Sequence, residues 1–203
     1  KKFYRRDSVV IYPPVDVKRL KTKNSRLYYL SVGRLVRGKG VDIIIEACAE
    51  LGLALKVVGT GPELTPLRQG YAGRANIEFL GQVSDEELAK LYAGAKATIV
   101  ASENEDFGIV PVESMAAGTP VIAVRAGGFL ETVVEGPPSH KASAGQGKTG
   151  EYFNNATIVS LMKVLESFDY KKYKAEDCRK QAEKFSKERF KKEILELVEK
   201  NLK

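Results

Sequence analysis

Histidine is almost missing: His140 stands alone among 203 residues, so a His-rich metal site is excluded. Cysteine is scarce too. Cys48 and Cys178 lie far apart, with no C-x-x-C spacing between them. Free thiols in a reducing compartment are expected, not a disulfide framework. No apolar run approaches the roughly 18 residues of a membrane span. The longest candidates, 41–55 and 97–124, are broken by Asp42, Glu46 and Glu50 and by Glu103, Glu105, Asp106 and Glu113. The chain opens Lys1-Lys2-Phe3-Tyr4-Arg5-Arg6, without methionine and without the apolar stretch of a signal peptide. It is expected to continue upstream.

What the sequence has in excess is basic charge, +7 in total, and the excess sits at the ends. Residues 1–26 carry nine Lys or Arg against two acids, and residues 170–203 carry twelve against seven. The middle is left acidic, with twelve bases against seventeen acids. A nucleic-acid binder concentrates its basic stripe on folded structure together with aromatics, so no nucleic-acid partner is expected. Basic ends suit a peripheral contact with an anionic membrane face or a partner domain, or plain solvation. The location expected is cytoplasmic, at the inner face of a membrane.

Between the ends, short apolar runs alternate with helical periodicity. Strands are expected over Leu27–Val32, Leu53–Val58, Ile77–Leu80, Ala97–Val100 and Pro120–Val124. Helices are expected over Val41–Leu51, Glu63–Tyr71, Ser84–Ala93 and Pro111–Ala117, with Ser84-Asp85-Glu86-Glu87 as a capping box. Strands apolar on both faces with short connections to helices imply a parallel sheet covered on both sides. The fold class expected is therefore α/β, a Rossmann-like doubly wound sheet whose ligands sit at the carboxyl ends of the strands. From Ala156 the pattern turns helical and charged. The domains expected are a linker segment 1–26, the sheet domain 27–168 and a helical tail 169–203.

Three stretches carry candidate chemistry. Gly33-Arg34-Leu35-Val36-Arg37-Gly38-Lys39-Gly40 joins the first strand to the first helix. Its glycines allow close backbone approach, Arg34 and Lys39 supply cations, and the helix start supplies free amides. The alternative is a basic surface loop. Gly59-Thr60-Gly61 either opens space for a ligand or makes a turn. Glu105 and Glu113 lie eight residues apart across a loop-to-helix junction. The amides of Phe107, Gly108 and Ile109 are expected to point from that helix start toward the strand ends, with Glu113 in its first turn. There Glu113 can accept two hydrogen bonds from a ribose diol, or merely complement the macrodipole.

Gly145-Gln146-Gly147-Lys148-Thr149 ends like a P-loop. Ala142 stands where that motif needs glycine, and Glu151-Tyr152-Phe153 reads as a strand where it needs a helix. His140, in the same Gly136–Gly150 loop, has no local partner and reads as a solvated residue.

These motifs together resemble the C-terminal domain of retaining glycosyltransferases of family four, one half of the GT-B architecture. The resemblance runs from Val10 to Gly150. It rests on Tyr12-Pro13-Pro14-Val15-Asp16, Gly33-Arg34 with Lys39-Gly40, Asn76–Gly81, Ser102–Glu113 followed by Ala116–Val121, and Gly127-Gly128-Phe129-Leu130-Glu131. It implies a nucleotide diphosphate sugar donor bound without metal or other cofactor. It implies that Arg34 and Lys39 hold the diphosphate and that Glu105 contacts the sugar. It assigns Glu113 to the ribose hydroxyls, and the amides of Phe107–Ile109 to sugar and phosphates, with Gly33, Gly59 and Gly61 shaping the donor site. The implied partners are a glycan or lipid-linked acceptor and an acceptor-binding N-terminal domain missing from this chain, toward which the tail would cross back. The linker and tail lean toward a mannosyltransferase, so GDP-mannose is placed ahead of UDP sugars. Asp106 departs from the glycine common after the first glutamate, and the 136–150 loop is long and basic. Rival expectations are a stand-alone nucleotide-binding module and a nucleotide-sugar epimerase, the latter opposed by the lone loop histidine.

Overall fold

The computed structural model describes residues 8–17, 26–135 and 147–202. Most of the loop expected at 136–150, with His140, Gly145 and Gln146, lies outside the described residues. Six parallel strands form one sheet in the order β3-β2-β1-β4-β5-β6. They are β1 (Tyr28–Val32), β2 (Leu55–Val58), β3 (Ile77–Gly81), β4 (Ala95–Val100), β5 (Val121–Val124) and β6 (Gly150–Phe153). The chain winds outward from β1 to β3, then returns to lay β4 against β1 and winds out again. Crossovers are right-handed, so reversing the direction of travel sends the helices to opposite faces. Helix α1 (Val41–Glu50) follows β1 and packs with α6 (Ile158–Ser167). On the other side α3 (Asp85–Gly94), α4 (Ile109–Ala116) and α7 (Ala175–Glu183) pack together. The remaining helices are α2 (Leu64–Gly70), α5 (Phe129–Thr132) and α8 (Lys187–Asn201).

The doubly wound α/β expectation is met, and its cause is visible strand by strand. All four residues of β5 are buried, as are five of the six in β4. Leu30, Ile99, Ile122 and Ile45 are at most 1% exposed. Each such aliphatic side chain contributes roughly 1.5–3 kcal/mol. Ser84 caps α3 by accepting the Glu87 amide at 3.2 Å, the first half of the expected box. Cys48 and Cys178 are both free and buried. Burial pushes each thiol up to about 12, so neither is a nucleophile near neutrality.

Several boundaries differ from expectation, for local reasons. Helix α4 begins at Ile109, because Gly108 takes a left-handed turn (φ 86°) that enters the helix directly. Pro111 is then its third residue, where a missing N–H costs nothing. Glu113 consequently lies in the second turn of the helix, not the first. β4 begins at Ala95, straight after α3. Two elements went unread: the four-residue α5, too short for periodicity, and β6 as a full member of the sheet. β6 pairs with β5 from Val121↔Gly150 to Val124↔Phe153. That strand, not a helix, follows Lys148 and Thr149, as the rejection of a P-loop requires.

Residues after 168 share the same core. Tyr173, Cys178, Ala182 and Phe185 are buried, and Gln181 Nε2 donates to the Thr132 carbonyl at 2.9 Å. Tyr12–Val17 runs back beside them: the Val15 amide donates to Phe185 O at 2.9 Å, and Lys187 pairs with Asp16 at 2.9 Å. No helix among the described residues is long and apolar enough to cross a membrane. Leu161 is fully buried at the α6–sheet interface. Leu161→Ala is expected to cost about 2–5 kcal/mol, read as a lower midpoint in urea unfolding.

Candidate functional site

Where strand order reverses, the loops leaving β1 and β4 part toward opposite faces and leave a crevice. A cavity of about 180 Å³ occupies it. Its floor is apolar, built from Val32, Ile44, Ile99 and Val100. Its rim is not: Gly33, Arg34, Lys39, Glu105, Gly108 and Ile109 all line it. Six residues chosen from sequence thus meet on one cavity.

Two helix starts, α1 and α4, converge there, and neither is capped by a side chain. By contrast Ser84, Thr157 and Ser186 cap α3, α6 and α8. The first amides of a helix lack internal partners, and the macrodipole makes that end positive. Leaving both ends uncapped beside two cations creates a field suited to an anion. Close packing holds α1 in place. Its N-cap Gly40 is left-handed (φ 66°), and a Cβ there would stand 2.7 Å from the Ala101 carbonyl oxygen.

Lys39 Nζ donates to Glu105 Oε2 at 2.7 Å, an ion pair reaching across the rim. Both side chains keep part of their surface in solvent, 30% and 25%. Arg34 is exposed and forms no ion pair among the described residues. Among the described residues, the site therefore holds one paired cation and one exposed one. The Glu105 loop is supported from behind, since the Gly128 amide donates to Glu105 O at 2.7 Å. This gives the Gly127-Gly128 motif its role.

Four other expected residues stand outside the cavity lining. Gly59 and Gly61 support it from below: a Cβ on Gly59 (φ 131°) would overlap the Gly33 carbonyl oxygen, and one on Gly61 would overlap that of Leu35. The Gly33 amide donates to Val58 O at 3.0 Å, and the Leu35 amide to Thr60 O at 2.8 Å. These glycines thus make a turn on which the basic loop rests. Phe107 is packed away in an aromatic trio, 5.6 Å from Tyr12 and 5.3 Å from Phe185. Glu113 is half-buried between α3 and α4, where Tyr92 donates its hydroxyl to Oε2 at 2.8 Å. Burial raises the Glu113 carboxyl above the usual range, opposed by the Tyr92 hydrogen bond.

Sequence reasoning missed Tyr92, Ser31 and Phe129. Tyr92 lies twenty-one residues from Glu113, and nothing local in the sequence pairs them. Among the described residues no group of three or more His, Cys, Asp or Glu gathers as a metal site would require.

A family profile, glycosyl transferases group 1, matches residues 15–185. The chain belongs to this family. Among curated relatives, an uncharacterized glycosyltransferase of Methanocaldococcus jannaschii is 36% identical over 132 residues, covering 64% of this chain and 37% of that protein. A D-inositol 3-phosphate glycosyltransferase of Corynebacterium efficiens is 39% identical over 121 residues, covering 52% and 28%. The chain therefore spans well under half the length of either relative. Among solved structures, Anabaena HepE in complex with UDP and glucose superposes with a TM-score of 0.77 at 23% identity, covering 94% of this chain and 56% of that one. The sucrose-phosphate synthase of Thermosynechococcus elongatus gives 0.75 at 24% identity, covering 95% and 52%. At that identity these structures establish the fold, and the fold is that of a group 1 glycosyltransferase domain.

Two outcomes test the site's physics. Gly59→Ala is expected to cost more than about 2 kcal/mol in thermal unfolding, since two backbones must separate. Glu113, with its pKa raised by folding, contributes stability fully below the ordinary glutamate pKa and loses it as pH rises through the raised value. Glu113→Gln removes a desolvated charge and keeps an acceptor for Tyr92. It is expected to melt above the unsubstituted chain at pH 7, with the gap closing below about pH 4 in a pH series.

Proposed function

We propose that this chain is the donor-binding domain of a retaining glycosyltransferase. The full protein would transfer a hexosyl group from a nucleotide diphosphate sugar to an acceptor hydroxyl in glycan or polysaccharide synthesis. The observation that carries this is the convergence of Arg34, Lys39 and two uncapped helix starts on one cavity at the β1/β4 seam. A sugar leaves its nucleotide by breaking the bond to a diphosphate, and negative charge collects on the departing oxygens. Cations and amides already in place stabilise that charge without reorganising. Arg34 and Lys39 supply the charges, the α1 and α4 amides supply the dipoles, and no metal or cofactor enters the scheme. Glu105, at the rim, faces the sugar, and Glu113 accepts the ribose hydroxyls. The missing acceptor-binding domain would form the other wall of the cleft, with a glycan or lipid-linked acceptor between. A peripheral contact with the inner membrane face, through the basic ends, belongs to the same proposal.

Relatives support a sugar-nucleotide donor while differing in their own substrates. One is named for inositol 3-phosphate and another for sulfoquinovosyl transfer, and HepE was solved with UDP-glucose. GDP-mannose is the donor toward which the linker and tail lean, and UDP-glucose is the one a fold neighbour binds. The base and the sugar are what the experiment reads.

Titration of the chain with GDP-mannose, GDP, UDP-glucose, UDP and ATP by calorimetry is expected to single out one nucleotide diphosphate. Binding is expected to be unaffected by EDTA and to weaken at least tenfold in Arg34→Ala, since charge-assisted hydrogen bonds contribute about 1.5–3 kcal/mol each. Equal weak binding of all five, or binding indifferent to Arg34, would overturn the assignment. Glu105→Gln separates the two roles of the rim. Freed of its partner, Lys39 is expected to hold the sugar-free diphosphate as tightly or up to about fivefold more tightly. The added affinity of the sugar nucleotide over its diphosphate is expected to disappear.

A further inference from the structure

Glu113 has an unusual setting for a residue that must bind a ligand. It is half-buried, and its carboxyl is raised by burial, so its charged form is at a disadvantage. The group that compensates comes from a different helix. Tyr92, 0% exposed in the last turn of α3, donates its hydroxyl to Glu113 Oε2 at 2.8 Å. No other hydrogen bond to the Glu113 carboxylate is formed among the described residues, so Tyr92 fixes one oxygen and leaves Oε1 for a ligand.

Tyr92 is itself tied by its backbone carbonyl into a network of buried polar contacts. Thr119 Oγ1 donates to the Tyr92 carbonyl oxygen at 2.7 Å. Ser114, the neighbour of Glu113, donates to Thr98 Oγ1 at 2.8 Å and shares its hydroxyl with the Thr119 carbonyl at 3.1 Å. Thr98, Ser114 and Thr119 are all 0% exposed. Such a network costs desolvation energy and is stable only when its members are satisfied. Its geometry ties α3, β4 and α4 into one unit that holds the backbone on either side of the Tyr92–Glu113 hydrogen bond.

We propose that Tyr92 is a positioning residue for donor binding: it holds the Glu113 carboxylate so that its free oxygen meets the ribose hydroxyls of the nucleotide. This rests on the assignment of Glu113 to the ribose. Tyr92 never touches the nucleotide; it restricts the rotamers of Glu113 and favours its charged form by donating to it. A carboxylate already oriented loses less freedom when the diol binds.

The test uses UDP and GDP with their 2′,3′-dideoxy counterparts, on the chain and on Tyr92→Phe and Glu113→Gln, by calorimetry across pH 5–8. Tyr92→Phe keeps the ring and its packing, and thermal unfolding checks that the fold persists. For the tighter-binding nucleotide, Tyr92→Phe is expected to weaken affinity about fivefold, the cost of ordering one side chain on binding. Its affinity should fall off on acidification at a higher pH than in the unsubstituted chain, because the bond that lowered the Glu113 pKa is gone. With the dideoxy nucleotide, which has no hydroxyls to offer, the unsubstituted chain and Tyr92→Phe should bind alike. A merely structural tyrosine would weaken both ligands equally and leave the pH profile in place, and that result would overturn the proposal. If Glu113→Gln weakens the nucleotide but Tyr92→Phe does not, Tyr92 loses its role while the ribose assignment stands. If Glu113→Gln has no effect, or if neither nucleotide binds, the ribose assignment fails and takes this inference with it.

Discussion

Because β1 and β4 lie side by side while their chains depart to opposite faces of the sheet, the carboxyl edge opens at that seam, and the cavity depends on this opening. The seam puts the start of α1 on one wall and the start of α4 on the other, each with its positive end inward. Apolar strand residues close the floor, while the charges at the rim stay within reach of solvent. Glycine lets the two walls stay narrow: α1 rests on β4 at Gly40, and the basic loop rests on the Gly59 turn. Side chains at these points would wedge the walls apart before any ligand arrived.

The site also shows how its charges are matched. Lys39 is matched by Glu105, Glu113 is matched by a neutral donor, and Arg34 is left to solvent. These arrangements differ in how readily they give way. An ion pair open to solvent is held by little net energy and can exchange one anion for another. A half-buried carboxylate held by a buried phenol cannot easily turn elsewhere. The rim is therefore adjustable at Lys39 and rigid at Glu113.

Much of this was legible in the residues. Apolar runs of strand length alternating with helical periodicity sufficed for the parallel sheet, and the glycines, cations and carboxylates that gather at the cavity could be picked from their places after strands. What escaped depended on contacts between distant segments. The partnership of Tyr92 with Glu113 joins two helices, and a tyrosine in a helix ending Leu91-Tyr92-Ala93 looks like any core aromatic. The ring of Phe107 is held between Tyr12 and Phe185, from opposite ends of the chain, a contact no local pattern shows. Gly59 and Gly61 were read as space for a ligand or as a turn, and no sequence signal could choose the turn that neighbouring backbone fills. Helix α5 has four residues, too few for a period to show, and β6 follows a loop with no strand signal before it.

The aromatic trio has a mechanical meaning. Tyr12 arrives from the N-terminal side, Phe185 closes α7 just before α8 departs, and between them sits the ring of Phe107, two residues from Glu105. Both segments thus bear on a single ring, and that ring belongs to the Glu105 loop. Arg189, donating to the Tyr12 carbonyl at 2.8 Å, fastens the two segments together beside it. A shift of either segment would be passed through the packed rings to the backbone beside Glu105.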